Sequence, residues 1–248
     1  MSSTSDSARV HDPLSAQTGE SPLAFARRLV REKQYGPAIQ VSRAALKSGE
    51  PTAELHEILG RALLLARDAE GSLWHFVQMT LLAPEQSAGF VNLGAAYNQL
   101  AKYSQAVEVL TKANKLQPTA AAYHNLGLAH RHLKNWPSAK TAYREALRLN
   151  PNLAEAHENL ARVYVELGDL TLAITHFQKA LELRPSFTRA TEGLHKATLA
   201  LSQPEQPLPE SDPSPDSTPS GTRTLLLPKS NASRIDPLRA RYLGRDIA

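Results

Sequence analysis

The sequence predicts an all-α fold, an α-solenoid of helix-turn-helix repeats flanked by disordered N- and C-terminal tails. Residues 20–201 are rich in Ala, Leu, Lys, Arg and Glu, which are strong helix formers. Apolar and small residues in this region follow helical spacing, as at Phe90, Leu93, Gly94 and Tyr97. The third observation is a short motif that recurs in a fixed register through the same region.

The recurring motif begins with a leucine followed by a small residue. Its four copies are Leu59-Gly60, Leu93-Gly94, Leu126-Gly127 and Leu160-Ala161, at intervals of 34, 33 and 34 residues. Twelve positions after the small residue of each copy comes a second small residue, and twelve positions after that comes a proline. These pairs are Ser72 and Pro84, Ala106 and Pro118, Ala139 and Pro151, and Ala173 and Pro185. The one missing residue therefore lies between Pro118 and Gly127, in a turn, where a deletion is tolerated best.

These residues resemble the tetratricopeptide-repeat (TPR) family, whose 34-residue pattern is W-x2-L-G-x2-Y, A-x3-F and P. One copy reads Phe90-x2-Leu93-Gly94-x2-Tyr97, then Ala106-x3-Leu110, then Pro118. A single repeat cannot bury its apolar face alone, so neighbouring repeats must stack. The resemblance implies that the stack is a right-handed superhelix with a concave groove. We expect an array at 19–201, made of a divergent repeat at 19–52, repeats at 53–86, 87–119, 120–153 and 154–187, and a capping helix at 188–201.

The small residues and the prolines of the motif each have a structural role. Small side chains at Gly94 and Ala106 allow the two helices of a repeat to approach closely. The proline ends the second helix and directs the chain into the next repeat. Gly168 and Asp169 predict a helix stop followed by an N-cap, and Pro137 suits the first turn of a second helix.

The two ends of the chain differ in composition from the array. Residues 1–18 are rich in Ser, Thr, Asp and Gln, and eight of the 17 prolines fall in the last 45 residues. Such segments bury too little apolar surface to offset the entropy of ordering. We expect a disordered N-terminal tail at 1–18, a Pro/Ser/acidic linker at 202–221 and a basic-apolar C-terminal tail at 222–248.

Composition restricts the function classes. The absence of cysteine excludes disulfides and thiolate chemistry, and no apolar run approaches the roughly 18 residues that span a bilayer. The N-terminus lacks the layout of a secretory signal, so we expect a cytoplasmic protein. The net charge of +4 is small, and the sequence has no concentrated run of Lys and Arg. Nucleic acid is therefore an unlikely partner.

One stripe of the first helix in each repeat is the candidate binding surface. Positions 4, 7, 8 and 11 cluster on the core side at about 100° per residue, whereas positions 2, 6, 9 and 13 point the other way. The TPR resemblance places this second stripe in the concave groove. Its position 6 is asparagine in three consecutive repeats, at Asn92, Asn125 and Asn159.

Asparagine offers a donor and an acceptor, which together match a peptide bond. We therefore expect the three asparagines to bind the backbone of a partner's peptide; the alternative is that they bond water or the adjacent helix. The other groove candidates are Gln99, His124, Leu128, His132 and Arg162. The carboxylate clamp of TPR chaperone adaptors is not reproduced, because Glu57, Arg61 and Ala121 stand at its other positions.

The sequence contains no catalytic or metal-binding motif. It lacks a phosphate loop, a G-x-S-x-G elbow and an H-E-x-x-H motif. His56 and His157 occupy core position 4 and His130 core position 11, which favours packed histidines over metal ligands. We expect no cofactor, no metal and no enzymatic activity.

The C-terminal tail carries a candidate linear motif. Asp236 and Pro237 resemble an N-cap with proline at the first helical position, and a cationic amphipathic segment follows. Its candidate residues are Asp236, Pro237, Leu238, Arg239, Arg241 and Tyr242. The sequence thus favours a non-catalytic scaffold or adaptor that binds a partner's extended or helical peptide, and the protein's own tail is a second candidate ligand. The alternatives are a peripheral membrane or assembly factor that acts through this tail and, less favoured, an RNA-binding repeat protein.

Overall fold

The computed structural model describes residues 20–49 and 51–202. This part of the chain folds into eleven α-helices and contains no strand, which confirms the all-α prediction. The helices are α1 Pro22–Arg31, α2 Tyr35–Ser48, α3 Ala53–Leu65, α4 Ala69–Leu82, α5 Ser87–Gln99, α6 Tyr103–Leu116, α7 Ala120–His132, α8 Trp136–Leu149, α9 Ala154–Glu166, α10 Leu170–Leu183 and α11 Thr188–Ser202.

Each helix packs against its neighbours in sequence, and each odd-numbered helix also packs against the next odd-numbered one. The odd-numbered helices therefore form one continuous layer, and each even-numbered helix covers the core side of its repeat. The stripe predicted to line the groove belongs to this odd-helix layer. None of the described helices has the length and apolar character needed to cross a membrane.

The two helices of a repeat meet at the small residue of the motif. A β-carbon on Gly60 would lie 2.6 Å from the ring of Phe76, and one on Gly127 would lie 2.7 Å from the ring of Tyr143. Both rings are fully buried. The close approach expected from the motif is present, and its large partner comes from the second helix of the same repeat.

The turn between the two helices has the same backbone form in each of the five repeats. A residue with positive φ occurs there each time, at Lys33, Arg67, Ala101, Lys134 and Gly168, with φ between 56° and 82°. The predicted helix stop at Gly168 is therefore confirmed. Asp169 follows it at the N-cap, but its side chain makes no capping hydrogen bond, unlike Asp68, whose carboxylate accepts from the Gly71 amide at 2.8 Å.

The motif prolines stand just beyond the ends of second helices. The helices α4, α6, α8 and α10 all end two residues before the motif proline, and Pro137 lies in the first turn of α8. The last helix extends to Ser202. The predicted tails at 1–18 and 222–248, nearly all of the linker and the motif at 236–242 lie outside the described residues.

The close approach predicts that leucine at Gly127 destabilises the array. Tyr143 would have to leave its buried position, and such overpacking costs about 1–3 kcal/mol. Gly36→Leu is the matched control, because nothing lies within 4 Å of a β-carbon at Gly36 and leucine forms helix better than glycine. Urea unfolding followed by circular dichroism compares the two variants. Equal stabilities would contradict a packing role for Gly127.

Candidate functional site

The three predicted asparagines occupy equivalent positions on three consecutive helices of the odd-helix layer, but their surroundings differ. Asn92 on α5 is half-buried, and its amide nitrogen lies 4.0 Å from the sulfur of Met79. Asn125 on α7 is also half-buried and donates to the carbonyl oxygen of Ala121 at 3.0 Å. Among the described residues, the side-chain oxygens of Asn92 and Asn125 have no hydrogen-bond donor. Both can accept from a bound molecule.

Asn159 on α9 is only 5% exposed, and its side chain links two repeats. Its amide nitrogen donates to Nε2 of His124 on α7 at 3.2 Å. Burial lowers the pKa of His124, which favours the neutral imidazole that such an acceptor requires. One of the three asparagines thus bonds the adjacent helix, which is the alternative that the sequence left open.

The other predicted groove residues differ in exposure. Gln99 is exposed and Leu128 is half-buried. The exposed His132 stacks on Tyr103 of α6, with ring centroids 4.5 Å apart and planes within 3° of parallel. His132 therefore belongs to an aromatic pair between two repeats, which sequence spacing did not reveal.

Arg162 does not stand alone, because it lies beside a buried carboxylate that the sequence analysis missed. Glu158 is fully buried on α9 and accepts from Arg162 at 3.2 Å, with Arg189 of α11 at 3.6 Å. Both arginines remain about half-exposed. Beside them, Arg184 pairs with Glu155. These five side chains carry three positive and two negative charges.

Two histidine pairs lie on the core side of the array. Nδ1 of His56 is 3.0 Å from Nδ1 of His75, and Nδ1 of His157 is 3.0 Å from Nδ1 of His176. His56 and His157 are buried, in agreement with their predicted core position. Within the described residues no three His, Asp or Glu side chains converge as metal ligands would.

The pairing of these histidines was missed, although the sequence contains a signal for it. In both pairs the second histidine follows the first by 19 residues, and an arginine precedes the first by 13. The two sets, Arg43, His56 and His75 and then Arg144, His157 and His176, are offset by 101 residues, which is three repeats. The equivalent positions of the third repeat hold Phe90 and Val109 instead.

Burial of the first pair predicts a loss of stability in acid. Burial lowers the pKa of His56 to about 4 and, together with the charges of His56 and Arg43, that of His75 to about 3. An unfolded imidazole takes up its proton near 6.5. Between these values the unfolded chain binds more protons at these two residues. The pair's contribution to stability is therefore constant above about pH 7 and falls as the pH drops toward 4.

The double variant His56→Phe, His75→Val tests this, because it installs the residue types of the third repeat. Its melting temperature should fall less than that of the wild type between about pH 7 and pH 4.5. His195→Gln, at an exposed position on α11, is the control and should follow the wild type. Parallel melting curves of wild type and double variant would contradict the assignment of this acid sensitivity to the pair.

Comparison with known proteins identifies the repeat. Two tetratricopeptide-repeat family models match residues 88–119 and 118–186, which together cover the third, fourth and fifth helix pairs. The chain is a TPR protein. Its fold resembles the crystal structure of a thermophilic TPR protein of Thermus thermophilus, with 25% identity, a TM-score of 0.61, and 72% of this chain and 97% of that chain covered. It also resembles MamA of Desulfovibrio magneticus RS-1, with 24% identity, a TM-score of 0.58, and 67% and 94% coverage.

Two curated relatives match part of this chain over part of their own length. Protein FlbA of Caulobacter vibrioides is 28% identical over 149 residues, which are 59% of this chain and 25% of FlbA. The Hsp70-Hsp90 organizing protein of Triticum aestivum is 34% identical over 94 residues, which are 38% of this chain and 16% of the wheat protein. The matched region thus spans a quarter or less of each relative.

Proposed function

We propose that this TPR protein is a non-catalytic interaction scaffold that binds a peptide segment of a partner protein along its odd-helix layer. The observation that carries the proposal is the row of three asparagines at equivalent positions of α5, α7 and α9. The TPR family, whose members are generally scaffolds without catalytic activity, supports the interaction role. The wheat relative is by its name an organizing protein for two other proteins, which supports the same general class.

The spacing of the asparagines suits an extended peptide. Packed helices lie about 8–10 Å apart, and three residues of extended chain span about the same distance at roughly 3.3 Å each. An asparagine on each helix can therefore meet every third peptide unit of a ligand. Asn92 and Asn125 would accept from ligand N–H groups through their unpartnered oxygens, whereas the amide nitrogen of Asn159 is already used by His124.

Two half-exposed arginines at the α9–α11 end of the layer favour an acidic group on the part of the ligand that lies there. Arg162 and Arg189 flank the single carboxylate of Glu158 and remain about half-exposed. Their remaining N–H groups can bind an acidic side chain of a ligand that lies near α9 and α11. The chaperone-type clamp is still not favoured. Glu57 places an acidic side chain at one of its first positions, and Arg61 at the other is paired with Glu57 at 3.4 Å.

The asparagine proposal predicts weaker partner binding when Asn92 and Asn125 are changed to Ala. Each change removes a hydrogen bond worth about 0.5–1.5 kcal/mol, so each should weaken binding by roughly 2- to 13-fold. The measurement is capture of partners from a cell extract, followed by titration of the partner that is recovered. Asn159→Ala should weaken binding too, but it also breaks the hydrogen bond to His124. The unfolding of this variant is therefore measured as well, to separate a loss of stability from a loss of binding.

Asn152→Ala is the matched control, because this exposed asparagine lies in the turn between α8 and α9, away from the stripe. It should bind like the wild type. Unchanged retention of every array-dependent partner by the double variant Asn92→Ala, Asn125→Ala would reject the asparagine assignment.

A comparison of the full chain with a 1–202 truncation tests whether partners use the array or the tail. If the odd-helix layer binds the partner, the truncation should retain it with an affinity within about threefold of the full chain, because every described helix is kept. Loss of all partners from the truncation would favour the basic-apolar tail at 222–248 as the binding element, and binding of that tail to anionic vesicles would then identify a membrane role.

A further inference from the structure

A small, shallow cavity that is open to solvent lies between α8, α9 and α10, on the side of α9 that faces away from the asparagine stripe. Its volume is about 310 Å³, and its polar lining comes from Arg144, Arg148, His157, Tyr164 and His176. Ligand pockets usually measure about 300–1,000 Å³, so this one suits only a small molecule. His157 and Tyr164 are two residues from Asn159 and Arg162, which turns their side chains about 160° away on a helix.

The hydrogen bonds of His157 fix the proton positions of the histidine pair in this cavity. Nε2 of His157 lies 3.0 Å from the carbonyl oxygen of Pro151, which only accepts, so Nε2 carries the proton. A neutral His157 then has a lone pair on Nδ1, and Nδ1 of His176, 3.0 Å away, must donate to it. Neutral His176 is left with a lone pair on Nε2. No donor to this atom is found among the described residues.

The neutral state of His176 is favoured by its surroundings. Burial, followed by the charges of His157 and Arg144, lowers the pKa of His176 to about 4. Tyr164 stacks on the ring at a centroid distance of 5.5 Å and holds its plane within 14° of parallel. The cavity therefore contains a fixed hydrogen-bond acceptor near neutral pH.

The cavity also contains guanidinium groups. Arg148 uses Nε to bind Glu145 at 2.9 Å, which leaves its terminal nitrogens available. Arg144 is exposed and has no carboxylate partner within the part of the chain that the structure describes. A ligand that fits all of these groups must present an anionic oxygen to an arginine and a hydroxyl donor to His176.

We propose that this cavity binds a phosphate group that carries one proton, as inorganic phosphate or as a small phosphate monoester. Its P–OH donates to Nε2 of His176, and its charged oxygens accept from Arg144 and Arg148, which as guanidinium groups match an oxyanion well. A phosphate monoester has its second pKa near 6 and therefore retains this proton on about a quarter of the molecules at pH 6.5. Sulfate has the same shape but carries no proton there, and so it cannot donate to the imidazole.

The first histidine pair is the internal comparison. Arg43, His56 and His75 have the same spacing, but Trp74 lies against both rings, with centroid distances of 5.3 Å and 4.8 Å. No carbonyl bond to His56 fixes its tautomer among the described residues. The proposal is therefore confined to the second pair, and it is independent of peptide binding by the odd-helix layer.

Isothermal titration of the full-length protein near pH 6.5 tests the proposal with four probes: inorganic phosphate, phosphoserine, sulfate and zinc ion. We expect phosphate or phosphoserine to bind at least tenfold more tightly than sulfate, and the tighter of the two identifies the source of the group. Arg144→Gln should weaken this binding at least tenfold, whereas Lys102→Gln, at an exposed position far along the chain, should not change it. Equal binding of sulfate, or binding of zinc ion without any response to phosphate, would overturn the proposal.

Nitrogen NMR of the imidazole rings provides a second readout that does not depend on a variant. Before any ligand is added, His176 should show a protonated Nδ1 and an unprotonated Nε2. Phosphate should shift Nε2 of His176, and the same concentration of sulfate should leave it unchanged. An Nε2-protonated His176 in the free protein would show that the acceptor is absent and would overturn the proposal even if some anion bound.

Discussion

The close approach of the two helices within each repeat is the constraint on which the rest of the array depends. Gly60 and Gly127 leave no room for a β-carbon, because the buried rings of Phe76 and Tyr143 fill that space. This contact fixes the rotation of the first helix about its axis. Once that rotation is fixed, one side of each odd-numbered helix faces its partner helix. The opposite side then forms the outer surface of the odd-helix layer. The surface stripe is therefore a consequence of the core.

The fold was predictable from the sequence because its main signal is repeated. Each copy of the motif independently predicts a helix, a close contact and a helix end, and four copies agree in register. Details that occur once were less predictable. The N-cap at Asp169 is an example, since the same kind of residue caps its helix at Asp68 but makes no side-chain bond at 169. A short side chain can occupy a cap position without reaching the amide, and sequence does not reveal this orientation.

The candidate site was predictable only in part, for a related reason. Helical periodicity placed Asn92, Asn125 and Asn159 on one stripe, because periodicity determines which side of a helix a residue occupies. It does not determine the distance to the next repeat, and that distance brings Asn159 to His124 and buries Glu158 between Arg162 and Arg189. The two histidine pairs were missed because each joins residues on different helices. Their offset of three repeats was visible in the sequence, but its meaning depends on ring geometry.

The opposite faces of α9 carry different chemistry, and the repeat geometry explains how they coexist. Asn159 and Arg162 lie on the asparagine stripe of α9, whereas His157 and Tyr164 face the cavity beside α8 and α10. Because Leu160, Ala161 and Val163 of α9 belong to the same buried core cluster as Phe177 of α10, neither face can rotate without disturbing the core. Occupation of the cavity would therefore not reorient the asparagine side of α9. A phosphate-dependent change in partner affinity would instead have to arise from the added charge, which salt screens beyond about 10 Å.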